Sequence, residues 1–241
     1  TPTSTGMMGG YPSTTNAYMF YRDTDILERN GRSQMIEDIS EVRGNEEVLQ
    51  LRQENFVQHK PAVYAVRWTG GGGFGDPRPL APEDIEADLE SFAITPQAAQ
   101  EIYGAVLGSD GRVDVTATAA RRREMRQVLV ARHGKPARVR EGTLLCDASV
   151  NLQVKRDAEG TFWACAKCST DLGPSTANYK DGCLHEELPV SASNPLIGDP
   201  ARFIDDAVSF RRFHCPGCGA QIDNEIAVKK DPVLADIHIV S

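Results

Sequence analysis

The sequence has few aromatic residues, no long hydrophobic run and no excess of positive charge. Only 7% of its 241 residues are Phe, Trp or Tyr, whereas 21 are Gly and 14 are Pro. Because aromatic side chains supply much of the area of a compact core, a loop-rich chain is expected, one that needs a metal or a partner for stability. No run approaches the ~20 apolar residues of a membrane span, and no basic-then-apolar leader opens the chain. A membrane-embedded or secreted protein is therefore not expected.

The charge balance argues against nucleic acid as a partner. The 26 Lys and Arg residues are outnumbered by 34 Asp and Glu, which gives a formal net charge of −8, and the pI is about 5.2. Binding to a phosphate backbone needs a positive field. Hydrophobic and charged fractions of 40% and 25% are typical of a folded globular protein. We expect a cytoplasmic protein that binds neither nucleic acid nor a membrane.

Motifs of catalysis are missing as well. No Ser/His/Asp set, paired-carboxylate motif or P-loop stands out, and the five histidines lack metal-site spacing. Gly70, Gly72 and Gly75 match the G-x-G-x-x-G pattern, but residues 76–79 (DPRP) follow, and prolines prevent the helix that a dinucleotide site needs there. The loop is interpreted as a structural turn in which backbone passes close to backbone. The sequence predicts no catalytic residue in this chain.

The first half of the chain is predicted to begin with a β-rich segment. Residues 1–15 are mostly Thr, Ser, Gly and Pro, which is typical of a flexible arm or of a loop that lies over another element. Residues 62–69 (AVYAVRWT) are rich in β-branched and aromatic residues and predict a strand.

Helices are predicted at about 83–132. Ile85, Leu89 and Phe92 are spaced i, i+4 and i+7, as on one face of a helix. Thr95 before Pro96 is typical of a helix N-terminus and starts a second helix over 96–103. A third is predicted over 116–132. It carries four arginines, interpreted as a solvated face or a surface for an acidic protein partner: Arg121, Arg122, Arg123 and Arg126.

A Gly/Pro stop at 134–136 marks the predicted domain boundary. Beyond it, short strands are predicted at 143–145, 151–155, 161–164 and 210–214. The sequence therefore predicts a loop-rich α+β protein: a β-rich N-terminal segment with helices, followed by a small, mostly β, metal-binding domain.

Four of the six cysteines form two C-x-x-C pairs, Cys165 with Cys168 and Cys215 with Cys218. A tight turn over two residues lets both sulfurs of a pair approach one tetrahedral ion at about 2.3 Å. Two such pairs favour a structural zinc, with all four ligand positions filled and none left open for a catalytic water. A disulfide, a thioredoxin-like redox pair and a rubredoxin-type iron site are the alternatives that the spacing leaves open.

The other candidate ligands are interpreted as structural. Cys146 and Cys183 have no partner at metal-site spacing, so both are predicted to be small buried hydrophobic residues. His214 precedes Cys215 in the chain and is predicted to be structural rather than a further ligand.

Two stretches resemble known families. Residues 69–77 (TGGGGFGDP), 94–99 (ITPQAA) and 103–107 (YGAVL) are similar to the C-terminal end of hydantoinase B-type subunits, and the similarity covers roughly 1–133. Residues 163–168 (WACAKC) and 210–219 (FRRFHCPGCG) resemble the small gamma subunit of acetone carboxylase.

The resemblance implies a domain organisation and a set of ligands. Residues 1–133 would form a hydantoinase B-like segment, 134–142 a linker and 143–241 a zinc-binding domain. The cysteine pairs of the gamma subunit bind zinc, which implies structural Zn²⁺ here on four residues: Cys165, Cys168, Cys215 and Cys218.

The resemblance also implies a function. The chain would be a non-catalytic, zinc-containing subunit of an ATP-dependent ketone carboxylase of the acetone or acetophenone carboxylase type, which makes a 3-oxo acid from a ketone and bicarbonate. The implied partners are hydantoinase A-type and hydantoinase B-type subunits in a hetero-oligomer, and these would bind ATP and Mg²⁺ or Mn²⁺. The alternatives are a subunit of an ATP-dependent hydantoinase or oxoprolinase and a free zinc-ribbon or rubredoxin-like module.

Overall fold

The computed structural model describes residues 4–49, 54, 56–58, 60–194 and 196–239, so the predicted segments extend beyond it at both ends. The described chain mixes helices and strands, and sheets predominate, which confirms the α+β class. No helix in these ranges is long and apolar enough to cross a membrane.

The chain forms two compact units. The first consists of Thr14–Gly70 with Ser4, and the second of Thr5–Ser13 and Gly71–Ser241. The division into family segments at 134–142 stays a prediction.

The first unit is a small antiparallel sheet with one short helix. Phe20 is buried in the sheet, and its ring contacts that of Phe56 edge-on at 4.8 Å between centroids. The strand predicted at 62–69 is present but shorter. The strands pair in the order β2-β1-β3, and the elements are β1 (Ala17–Arg22), α1 (Ile26–Gly31), β2 (Asn45–Val48) and β3 (Val63–Arg67).

The second unit contains the three helices that the sequence predicts. Thr95 accepts a hydrogen bond from the Ala98 backbone at the start of the second, and Asp114 caps the third. The third ends where Gly134 adopts a φ of +59°, a conformation that glycine tolerates best. The helices are α2 (Pro82–Glu90), α3 (Pro96–Glu101) and α4 (Val115–His133).

A small apolar core joins α2 and α3. Ile85 and Ala99 are fully buried, and Leu89 packs against them. The prediction that Phe92 shares this face is wrong, because Phe92 is 92% exposed. Helix α2 ends at Glu90, and Phe92 adopts a φ of +58°, which turns its side chain off the helical face.

Two antiparallel sheets form the rest of the second unit. One has the order β4-β5-β6-β7 and the other β10-β9-β8. Trp163, Phe213 and Ile222 belong to one buried cluster that includes residues of both sheets. The strands are β4 (Thr143–Asp147), β5 (Leu152–Asp157), β6 (Gly160–Cys165), β7 (Asp171–Pro174), β8 (Leu184–Leu188), β9 (Val208–His214) and β10 (Gln221–Val228).

Short 3-10 helices lie between the strands and at the edge of the first unit. They are Ile39–Glu41, Tyr179–Gly182, Val190–Ala192 and Pro200–Arg202.

Residues 5–13, here called the N-terminal strap, lie over other parts of the second unit. This agrees with the prediction of a loop that lies over another element. The Gly73 amide donates to the Tyr11 carbonyl at 2.8 Å, and the Met7 amide donates to the Gly73 carbonyl at 2.9 Å. Asn224 of β10 donates from its side chain to the Gly10 carbonyl at 2.7 Å. The glycine-rich loop therefore does bring two backbone segments together, as predicted.

We expect Gly10→Ala to destabilise the second unit by about 1–3 kcal/mol, the range found for overpacking. A Cβ at this position would lie 2.0 Å from the Gly73 carbonyl oxygen, and a backbone atom cannot move aside as a flexible side chain can. The matched control is Gly71→Ala in the glycine-rich loop that the strap contacts, since a Cβ at Gly71 meets no atom within 4 Å. Urea unfolding of both variants measures the difference, and equal stability of the two would contradict the prediction.

Candidate metal centre

The first C-x-x-C turn follows directly from a sheet strand. Cys165 is the last residue of β6, and its backbone amide donates to the Thr170 carbonyl at 2.9 Å. The Ser169 amide donates back to the Cys165 carbonyl at 2.9 Å. Ser169 adopts a φ of +56°, which closes the turn.

The second turn repeats the same hydrogen-bond pattern. Cys215 follows the last residue of β9, and its amide donates to the Ala220 carbonyl at 2.8 Å. The Gly219 amide donates back to the Cys215 carbonyl at 2.9 Å, and Gly219 has a φ of +68°. Two turns of the same geometry thus come from one strand of each sheet.

The two turns bring the four predicted ligands together. The four Sγ atoms lie within 4.8 Å of one another. Those of Cys165 and Cys218 are 3.8 Å apart, and those of Cys168 and Cys215 are 3.5 Å apart. Sulfurs at about 2.3 Å from a tetrahedral ion are separated by about 3.8 Å, whereas disulfide sulfurs are about 2.05 Å apart. The four cysteines are free thiols, so the spacing fits an ion and not a disulfide.

The electrostatics of the cluster also fit a cation. Hydrogen bonds from Cys165 and Cys215 hold the pKa of Cys168 well below its usual range and lower that of Cys218 to about 7. The contact with Cys168 raises the pKa of Cys165, and contacts with Cys165 and Cys168 raise that of Cys215. Four thiolates this close repel one another, so a bound cation is what would allow all four to ionise together.

Neighbouring residues fix the shape of the first turn. Thr170 lies with its hydroxyl 3.1 Å from the sulfur of Cys168. Gly217 allows this approach, because a Cβ there would lie 2.1 Å from the same hydroxyl. Arg138 accepts a backbone hydrogen bond from Asp171 at 2.8 Å. The sequence carries no spacing signal for the contributions of Gly217 and Arg138, since each depends on a contact between distant segments.

His214 is structural, as predicted. Its Nδ1 is 3.3 Å from a guanidinium nitrogen of Arg78, and its Nε2 is 3.3 Å from a carboxylate oxygen of Glu186. Burial, with Arg78 and Arg212 nearby, holds the pKa of His214 well below its usual range. Because arginine only donates, the neutral ring accepts at Nδ1 and carries its proton at Nε2. Both nitrogens thus face protein groups.

The two remaining cysteines differ from each other. Cys183 is buried, as predicted, and burial raises the pKa of its thiol to about 12. The prediction for Cys146 is wrong, because this residue is exposed. Cys146 lies on β4, an edge strand whose residues are all exposed. A prediction of a three-residue strand does not show whether that strand lies at the solvent-exposed edge of a sheet.

The arginines of α4 are more than a solvated face. Arg122 donates to the Tyr103 carbonyl at 2.9 Å, and Arg126 lies 3.5 Å from the buried carboxylate of Asp76. Only Arg123 of this group remains fully on the exposed side. The partners of Arg122 and Arg126 lie 19 and 50 positions away, so helix periodicity alone does not reveal them.

Residues 140–240 match the family model described as the acetone carboxylase gamma subunit. A curated relative, the acetophenone carboxylase beta subunit of Aromatoleum aromaticum, is 35% identical over 86 residues, which are 34% of this chain and 67% of that protein. The chain belongs to the acetone and acetophenone carboxylase subunit family.

All four clustered cysteines lie inside the part of the chain that matches this carboxylase-subunit family. Among solved structures, nucleotide-free acetone carboxylase is similar, with a TM-score of 0.43 and 24% identity. The match covers 52% of this chain and only 19% of the chain in that structure. The resemblance of residues 1–133 to hydantoinase B-type subunits stays a prediction.

Proposed function

We propose that the chain is a non-catalytic, structural zinc subunit of an ATP-dependent ketone carboxylase. The observation that carries the proposal is the approach of four thiols at tetrahedral spacing within the gamma-subunit match. Four protein ligands fill a tetrahedral site and leave no position for a reacting water, which is typical of structural zinc.

The ligands would be Cys165 and Cys168 from the end of β6 and Cys215 and Cys218 from the end of β9. A bound zinc ion supplies the positive charge that lets four thiolates coexist and so cross-links the two turns. The backbone hydrogen bonds within each turn fix the conformation of that turn. Gly217, which has no side chain, leaves room for the Thr170 hydroxyl beside Cys168. The chain's own contribution is a rigid connection between its two sheets.

In the proposed complex, hydantoinase A-type and B-type subunits carry out the chemistry and bind ATP with Mg²⁺ or Mn²⁺. The relatives named above are subunits of carboxylases, which supports a hetero-oligomer. Holding the catalytic subunits in register would keep phosphorylated intermediates away from water.

Native mass spectrometry of the complex purified from its source, combined with metal analysis, tests the proposal. We expect the chain to copurify with larger subunits and to contain one zinc, and the complex to turn over ATP only with ketone and bicarbonate. Bicarbonate-independent ATP turnover would instead favour the hydantoinase or oxoprolinase alternative. A chain that purifies alone and monodisperse, or one that is reddish and holds iron, would overturn the proposal.

A further inference from the structure

A basic cavity of about 830 Å³ opens beside the second cysteine turn. Its floor includes Gly217 and Cys218, and α4 forms one wall. The size is within the range of small-molecule sites. Five cationic side chains line it, although the chain as a whole has a net charge of −8: Arg78, Arg122, Arg123, Arg126 and Lys167.

A single buried carboxylate, that of Asp76, partly balances these cations. Its Oδ1 accepts from the backbone and from the Nε of Arg78 at 3.1 and 3.0 Å, and its Oδ2 accepts from the Gln221 amide at 3.2 Å. Although burial raises it, the pKa of Asp76 stays below its usual value because Arg78 and Lys167 favour the charged form. Arg126 and Lys167 are more distant, at 3.5 and 3.8 Å. Arg78 also lies 3.3 Å from Nδ1 of His214 and donates to the Gly219 carbonyl at 3.2 Å, so the cations that Asp76 leaves least engaged are those of α4 and Lys167.

Two of the arginines that line the cavity also carry buried donors without a partner. Within the described part of the chain, Nη2 of Arg122 and Nε of Arg126 are buried and have no hydrogen-bond partner. Burial lowers the pKa of Arg122, and the charge of Arg126 lowers it further. Like charges in a partly desolvated wall are unfavourable, and an anion between them would relieve that cost.

The sum of the charges around the cavity indicates which anion would balance them. Five cations and one carboxylate leave four positive charges. A Zn²⁺ ion on four thiolates has a net charge of −2, so a loaded centre beside the cavity leaves two. A doubly charged anion would balance them.

We propose that this cavity binds a phosphate group, either as inorganic phosphate or as part of a phosphate ester. Guanidinium forks pair with phosphate oxygens through two parallel hydrogen bonds, and the cations here approach from both α4 and the first cysteine turn. A dianion with acceptors on several sides suits this arrangement better than a single carboxylate does. This site goes beyond the architectural role proposed above; the cluster of cations does not depend on that role, whereas the double charge assigned to the anion rests on the zinc centre proposed there.

Isothermal titration calorimetry on the full, metal-loaded chain tests the site. Inorganic phosphate, pyrophosphate, ATP and an oligoglutamate peptide are titrated at one ionic strength set with chloride. Binding of phosphate supports a free-anion site, and binding of pyrophosphate or ATP alone supports a phosphate ester. The proposal is overturned if none of the three phosphates binds, or if only the peptide binds, since that would identify a docking surface for an acidic protein.

Matched variants separate the site from general surface charge. We expect Arg123→Gln to weaken binding of the phosphate that binds best by about tenfold, as the loss of one charge-assisted hydrogen bond allows. Arg121→Gln removes the same charge from the same helix but from a residue that does not line the cavity, and it should change binding less than twofold. Lys167→Gln, in the first cysteine turn, provides a second variant in case the first fails to fold. Equal weakening by Arg121→Gln would overturn the proposal.

Discussion

Cys215→Ser is expected to unfold the part of the chain that follows Arg138. Cys215 is fully buried within the apolar cluster that includes residues of both sheets, and it is one of four thiols in the proposed zinc site. Apparent zinc-binding energies of small structural sites are about 10–16 kcal/mol, and that energy contributes directly to folding. If removal of one ligand prevents zinc binding, the energy lost is comparable to the whole stability of an ordinary domain, which is about 5–15 kcal/mol.

Limited proteolysis, far-UV circular dichroism and zinc content of the purified variant measure this effect. Cys218→Ser should behave in the same way, because its sulfur is 3.8 Å from that of Cys165. Cys146→Ser is the control, since Cys146 is exposed and outside the cluster, and it should retain zinc and protease resistance. A zinc-free Cys215→Ser protein that resists protease as the wild type does would contradict the prediction.

Lys180→Met is expected to destabilise the second unit by about 3–5 kcal/mol at neutral pH, the cost of leaving buried charges without their partner. The side chain of Lys180 is only 1% exposed, and its Nζ lies 2.9 Å from Asp223, 3.1 Å from Asp236 and 3.6 Å from Glu225. Burial lowers the pKa of Lys180, but these carboxylates outweigh it and raise the pKa above its usual value. Without the ammonium group, Asp223 and Asp236 would share the Tyr179 hydroxyl but lose their cation, whereas Glu225 would keep its ion pair with Arg211 at 2.9 Å.

The pH dependence of this loss is a second readout. The pKa of Lys180 is higher in the folded than in the unfolded protein, so the stability that its ammonium group contributes is fully present at neutral pH and is lost only as alkaline pH passes the folded-state pKa. The difference in unfolding free energy between wild type and Lys180→Met should therefore shrink only at alkaline pH. Urea unfolding at several pH values measures this trend.

Lys230→Met is the matched control for burial. Lys230 contacts Asp206 at 2.6 Å, a shorter distance than any of the three contacts of Lys180, but it is 69% exposed. Solvent screens such a pair, so its loss should cost less than about 1 kcal/mol. Similar losses for the two variants would show that the buried network of Lys180 contributes no more than a surface ion pair.

The sequence predicts the elements whose signals are local. Thr95, Asp114 and Gly134 act at helix ends through contacts within a few positions, so α3 and α4 are found nearly at their observed bounds. Phe92 shows the limit of periodicity, because the helix ends before the third turn that its spacing assumes. The exposure of Cys146 depends on the order of strands in the sheet, which a single short strand does not encode.

The candidate metal centre can be predicted from the sequence because the C-x-x-C spacing identifies its ligands. The contacts around the centre cannot be predicted in this way. The contact of Asp76 with Arg126 and that of the strap with the glycine-rich loop both depend on which distant segments meet. Glycine content predicted a close backbone approach at 70–75, but only the fold shows that the N-terminal strap is the approaching segment.

The strap has a consequence for the order of events during synthesis. Tyr11 accepts a hydrogen bond from Arg212, 201 positions away, and Gly10 accepts from Asn224, 214 positions away. Asn224 lies on β10, an edge strand of its sheet. During synthesis the strap can therefore reach these partners only after the chain through β10 has been made, so its docking is a late step in the folding of this unit.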